Sequence, residues 1–205
     1  MKHPQEYRRA TPQDLKRIRL KMNDLQMAFN YVETELCDHK RYYFYQDSGK
    51  VAVMQLNVKR ENFMHLCGFN YRSGGAKRFW HDLKRNHLVM ENLLVKVDGT
   101  TFQKLQIINL LPELSKLNLK ITGAGKYLNL QYDHSIRTKR ELMAIAFQFD
   151  TDGYIPLSLL NLNDTKFRNN ELHVVLAIVD CFENTKTLIA GTKTPNYWFA
   201  KSRNQ

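Results

Sequence analysis

The apolar positions near the start of the chain follow a helical step. Leu15, Ile18, Met22, Leu25, Phe29, Val32 and Leu36 alternate spacings of three and four, so seven apolar side chains share one stripe of a single long helix. Lys16, Arg17, Arg19 and Lys21 fall on the opposite face. Thr11-Pro12-Gln13-Asp14 supplies the start, with Thr11 as N-cap, Pro12 at the first helical position and an acid in the first turn. Such a stripe serves either as a coiled-coil seam or as a face packed on its own body, and packing is expected here. RYYFYQDSGKVAVMQLNV then reads as two β runs joined by the turn Asp47-Ser48-Gly49-Lys50. Asn62 to Phe69 reads as a further short β stretch, ended by Arg72-Ser73-Gly74-Gly75.

Two helices are predicted next. In Ala76 to His87, the residues Ala76, Phe79, Trp80, Leu83 and His87 share a face, and Lys77, His81, Lys84 and Arg85 lie on or near another. Asp98-Gly99-Thr100-Thr101 opens a second, apolar helix through Phe102, Leu105, Ile107, Ile108, Leu110 and Leu111, with a kink or a new turn at Pro112. From Lys120 the texture changes to β runs at Lys126 to Tyr132, Leu142 to Phe149, His173 to Cys181 and Thr187 to Ala190, which suggests an antiparallel meander. The expected fold is therefore α+β: two helices followed by a four-stranded antiparallel sheet, with a long N-terminal helix and β-hairpin as an elaboration. Residues 1–60 form that elaboration and residues 61–205 the main unit, the whole being one compact body.

Charge changes the picture. The 205 residues carry 31 Lys and Arg against 20 Asp and Glu, a formal net charge of +11, with a pI near 9.6. A surplus of this size favours a polyanionic partner. Its distribution is uneven. Residues 59–87 hold seven bases against two acids and residues 116–140 six against one, whereas residues 141–205 hold six against seven. Clustering of this kind is an electrostatic footprint rather than a solubility device. Tyr71, Phe79, Trp80, Tyr127 and Tyr132 interleave the bases and could stack on unpaired nucleobases, although Phe79 and Trp80 fall on the apolar helix face and suit a core better. No helix-turn-helix, zinc-finger or basic-zipper pattern is present, which favours single-stranded or looped RNA over duplex DNA.

Other classes are less well served. The longest charge-free apolar run, Val174 to Val179, is far below the about 18 residues a membrane span needs. The N-terminal MKHPQEYRRATPQDL carries charge where a secretory signal needs its apolar stretch, so a cytoplasmic location and no membrane partner are expected. Cys37, Cys67 and Cys181 sit at no metal-ligand spacing and read as buried small hydrophobes in a reducing compartment. No metal and no cofactor are expected: Asp150-Thr151-Asp152-Gly153 lacks the remaining ligands of a calcium loop, and Gly74-Gly75 and Gly123-Ala124-Gly125 match neither phosphate-loop nor dinucleotide patterns. The remaining chemistry is phosphodiester cleavage by amino-acid side chains. It needs a base for the RNA 2′-hydroxyl, an acid for the leaving 5′-oxygen and cations for the phosphorane. His65, His81 and, less strongly, His134 are the candidate proton carriers. Lys126 and Arg137 are candidate catalytic cations, and Lys77, Arg78, Lys84, Arg85, Lys139 and Arg140 candidate nucleic-acid contacts.

FMHLCGFNY, AKRFWHDLKRN, DGTTFQKLQIINLLPELSKL and RTKRELMAIAFQFDTDGYIPLSLLN occur in an order that resembles the fourth phage group of the barnase, EndoU, colicin and RelE-like nuclease superfamily, over residues 40–190. The resemblance implies two helices and a four-stranded antiparallel sheet, and metal-independent endoribonuclease activity by 2′-hydroxyl attack in a phage or mobile-element toxin. RNA, with tRNA as a frequent target of the superfamily, would be the substrate, and a cognate antitoxin or host protein a further partner. Of the motif residues only His65 carries over to a position of interest. The alternatives are a non-catalytic nucleic-acid-binding or host-complex-blocking phage protein and, less well supported, an ADP-ribosyl or similar transferase.

Overall fold

The computed structural model describes residues 6–127, 130–138, 142–162 and 171–203. After a short strand β1 (Tyr7–Arg9), helix α1 (Pro12–Leu20) starts as its sequence predicts. Thr11 Oγ1 accepts from the Asp14 N–H at 3.2 Å and the Asp14 carboxylate accepts from the Thr11 N–H at 2.9 Å, a reciprocal cap. The hydrogen bond and charge of Arg8 hold the Asp14 carboxyl at about 2. The single long helix expected is broken. At Lys21 the backbone turns to φ −104° and ψ 5°, its N–H reaches back only three residues to the Ile18 carbonyl, and α2 (Met22–Glu35) begins. The apolar stripe survives the break: Ile18, Leu25, Phe29 and Val32 are all buried.

The hairpin forms where expected, as β2 (Lys40–Asp47) and β3 (Lys50–Asn57), with Ser48 and Gly49 both at positive φ in the turn. The stretch around His65 is a helix, not a strand. In α3 (Arg60–Cys67) the Asn62 side chain accepts from the Lys59 N–H at 2.8 Å at the start, and the buried Phe63, Leu66 and Cys67 take helical spacing. Gly68, at φ +74°, ends it and releases the chain into β4 (Phe69–Tyr71). Helix α4 (Gly75–Lys84) buries Phe79, Trp80 and Leu83. Strand β5 (Leu93–Lys96) pairs with β1 and β4 in a small sheet, and α5 (Thr100–Ile107) runs into a 3-10 helix over Ile108–Ser115 that contains Pro112.

The later strands overturn the expected four-stranded sheet. They are β6 (Lys120–Thr122), β7 (Gly125–Tyr127), β8 (Leu130–Tyr132), β9 (His134–Arg137), β10 (Met143–Asp150), β11 (Gly153–Asn161), β12 (His173–Phe182) and β13 (Thr185–Ala190). Seven strands close into a barrel in the order β12-β2-β3-β11-β10-β9-β6, with β6 returning to β12. The hairpin assigned to an N-terminal elaboration thus supplies two staves. Strand β12 gives one edge to β2 and divides the other: His173 and Val174 pair with β6, and Ile178 to Phe182 with β13. All barrel contacts are antiparallel except β11 on β3, where Tyr154 faces Leu56 in parallel. Strands β7 and β8 pair with each other, and α6 (Pro195–Arg203) follows β13.

Strand alternation sends neighbouring side chains to different cores. Tyr43, Met54, Leu56, Ile136, Ile145, Phe147, Leu159 and Ile178 join the apolar faces of the helices in the main core. Phe44, Val51, Ala177 and Val179 point the other way, against Trp198 of α6, while Tyr132, Ala144, Ala146 and Leu160 form a third cluster. Between helices and barrel lies Arg41, about 1% exposed. Its guanidinium donates to Asp180 at 2.9 Å, to Ser115 at 2.9 Å and to the Glu35 carbonyl at 2.7 Å, tying β12, the 3-10 helix and the end of α2 together. Removing one partner of a buried pair leaves the other uncompensated. Arg41→Met is therefore expected to cost about 3–5 kcal/mol in a urea titration; a loss under about 1 kcal/mol would show that the pair is not a structural tie.

Candidate active site

Helices α3 and α5 both rest on β11, and α5 brings a lysine into the contact. Lys104 is 7% exposed, and its Nζ donates to the backbone carbonyl of His65 at 3.0 Å. An ammonium has three donors. Burial, reinforced by the nearby Lys96 charge, lowers its pKa from the ordinary lysine value to about 8. Desolvation penalises the charged form and a second cation adds to that penalty.

The approach of Lys104 depends on Gly68. A Cβ built there would lie 2.9 Å from Lys104 Cδ and 3.1 Å from Thr101 Cα. Thr101, wholly buried, donates its hydroxyl to the Gly68 carbonyl at 2.6 Å and accepts from the Lys96 N–H at 2.9 Å, so one side chain joins α5 to the end of α3 and to β5. His65 lies one turn before Gly68, in the last turn of α3, and is exposed. Partial shielding, then the Lys104 and Lys96 charges, lower its pKa below the ordinary imidazole value.

Beside Lys104 opens a cavity of about 360 Å³. Leu159 and Leu160 line it as apolar wall, and Lys96, Asp98, Gln103, Ser158 and Asn161 are among its polar groups. Lys96 is ion-paired to Glu6 at 2.6 Å; burial alone would lower its pKa, but the pair outweighs it and the net shift is upward. Asp98 is ionised more readily than usual: burial opposes this, and the N–H and hydroxyl of Thr100, at 3.0 and 2.8 Å, overcome it. An ammonium near its own titration point, a second cation paired with Glu6, the Asp98 carboxylate and hydroxyl and amide groups thus surround a space of nucleotide size, with His65 on the adjoining last turn of α3.

The residues singled out from sequence are distributed over several elements. His65 stands with Lys104. His81 is exposed on α4, its Nδ1 3.8 Å from the Asp82 carboxylate. Lys77 and Arg85 are exposed on and just after the same helix; Arg78 pairs with Asp82 at 2.7 Å and Lys84 with Glu33 at 2.6 Å. Lys126 is exposed on β7, Arg137 is buried on β9, and the His134 ring packs on Tyr154, centroids 4.7 Å apart. Lys139 and Arg140 lie outside the described residues. Sequence reasoning passed over Lys104, Thr101, Ser158 and Asn161. The one signal for Lys104 was a lone charge inside an otherwise uncharged helical stretch, TFQKLQII.

Gly68→Ala meets both positive φ and a backbone neighbour that cannot swing aside. It is expected to lower stability by about 1–3 kcal/mol in thermal or urea unfolding; an unchanged midpoint would show that α3 and α5 do not meet as described. A family model described as phage-Barnase-EndoU-ColicinE5/D-RelE like nuclease4 matches residues 24–196. No curated protein and no solved structure matches the chain.

Proposed function

We propose that this chain, which belongs to the phage-Barnase-EndoU-ColicinE5/D-RelE like nuclease family, cleaves RNA at the cavity beside Lys104 without requiring a metal ion. The observation that carries the reading is the buried Lys104 ammonium, held against the His65 carbonyl at the edge of a nucleotide-sized cavity. A proton donor works best with a pKa near the working pH, and an amine brought down to about 8 meets that condition. Lys104 protonates the leaving 5′-oxygen and places positive charge beside the phosphorane. His65, with its pKa lowered, is neutral at pH 7 and accepts the 2′-hydroxyl proton. Lys96 adds charge on the phosphate side. The exposed bases on and just after α4, Lys77, Arg78 and Arg85, steer the polyanion toward the protein. The phage association comes from the family's description, and tRNA is the first RNA to test.

The sign of the pH dependence follows. Protonating His65 removes the base, so cleavage falls as pH drops through its lowered pKa; deprotonating Lys104 removes the acid, so cleavage falls as pH rises through about 8. Purified protein incubated with tRNA in EDTA is expected to leave 2′,3′-cyclic phosphate ends with a bell-shaped profile. Lys104→Met is expected to lower the rate about 100-fold or more, and Lys104→Arg to lower it while removing the descent near pH 8. Full cleavage by Lys104→Met, or loss of activity on adding EDTA, contradicts the reading. Salt-sensitive binding with intact RNA at every pH would instead support a binding protein.

A further inference from the structure

The opposite end of α3 borders a second cavity, of about 550 Å³, lined by the bases Lys40, Lys59 and Arg60, by the acids Asp38, Glu61 and Asp152, and by His39 and Asn57. Its most organised member is His39. The ring Nδ1 lies 2.6 Å from Asp180 Oδ2, while Arg41 occupies the other carboxylate oxygen at 2.9 Å, and the imidazole stacks on Phe182 with centroids 4.4 Å apart and planes 17° apart. A carboxylate on Nδ1 keeps the proton there, so Nε2 is the basic nitrogen. Asp180 and Arg41 are both buried, which makes this a pre-set imidazole rather than a loose surface one.

Around the same cavity stand three cations. Each reaches an exposed carboxylate: Lys40 with Asp152 at 2.8 Å, Lys59 with Asp150 at 3.5 Å and Arg60 with Asp38 at 2.8 Å. Exposed pairs of this kind are worth about 0–1 kcal/mol and exchange readily for a better anion. The Asn57 and Gln55 amides both donate to the Asp152 carbonyl, at 2.6 and 2.5 Å, fixing the Asp150 to Gly153 turn against β3. The first cavity uses none of these groups.

We propose that the cavity beside His39 is a site for a terminal phosphate monoester, held by Lys59, Arg60 and Lys40, with His39 Nε2 accepting a hydrogen bond from the monoester P–OH. A monoester suits the site better than a diester. It offers three oxygens to three cations, and unlike a diester it carries a P–OH that can donate to the imidazole nitrogen. Helix α3 rises about 12 Å from Arg60 to Gly68, so a short oligonucleotide can span both of its ends. The proposal rests on the RNA reading only for what carries the phosphate.

The test separates the two readings, because it uses a ligand that cannot be cut. The His39 ring resonances of the full chain are followed by NMR during titration with inorganic phosphate, with a 3′-phosphorylated deoxydinucleotide and with the same dinucleotide lacking phosphate. Both phosphate-bearing ligands are expected to shift His39 saturably at about millimolar concentration or below, the phosphate-free one is not, and Lys59→Ala with Arg60→Ala is expected to weaken binding about tenfold or more. Tighter binding of the phosphorylated dinucleotide identifies a nucleic-acid end as the source, and equal binding identifies free phosphate. The proposal is overturned if His39 does not respond, if the phosphate-free dinucleotide acts equally, or if the double variant binds as the parent does. Loss of RNA cleavage in Lys104→Met would leave this result unchanged.

Discussion

Barrel closure through β6 is the constraint from which the rest follows. This three-residue strand pairs on one side with β9, Lys120 facing Arg137, and on the other with β12, Ile121 facing His173. Once the ring is shut, the facing of every stave is settled, because a one-residue slip would exchange the two faces of a strand. On β11 that settlement sends Leu159 to the main core and Leu160 to the outer cluster, and presents Ser158 and Asn161 to the cavity under α5. Helices α3 and α5 then meet across Gly68 and Thr101, and Lys104 is buried as a consequence of that contact.

The same architecture explains how a strongly basic chain localises chemistry. Many of its cations are spent in exposed pairs, such as Lys84 with Glu33 or Lys116 with Glu113, which do little beyond solvation. Lys104 and Arg41 differ because the fold removes them from water. Arg41 is answered by a carboxylate, a hydroxyl and a carbonyl, and so becomes structure. Lys104 is answered by one carbonyl and a neighbouring positive charge, and so becomes an acid near neutrality.

Local pattern carried part of this into the sequence. The α1 cap was legible in Thr11 and Asp14, the β2–β3 turn in Asp47-Ser48-Gly49-Lys50, and the long strands β10 and β12 in their apolar runs, because each rests on contacts between near neighbours. The barrel was not, since β6 and β9 are three and four residues long and their pairing joins distant segments. The stretch at His65 misled because Phe63, Met64, Leu66 and Phe69 give a short apolar run without clear period, which only the Asn62 cap and the Gly68 turn resolve into a helix. Family resemblance located the nuclease class, and the matching model supports it over residues 24–196. It did not locate Lys104: burial of a lysine is a property of the α5–α3–β11 packing, and a lysine in a helix reads as solvated until that packing is known.

The burial of Lys104 is also the most direct point of attack. Titrating the Lys104 amine by NMR in the full chain, with its resonance assigned by comparison with Lys104→Arg, measures the effect of the surroundings on that nitrogen. A midpoint near 8 is the expected result; titration close to about 10.4, the ordinary value for a lysine in water, would contradict the burial of the amine and the acid role assigned to it.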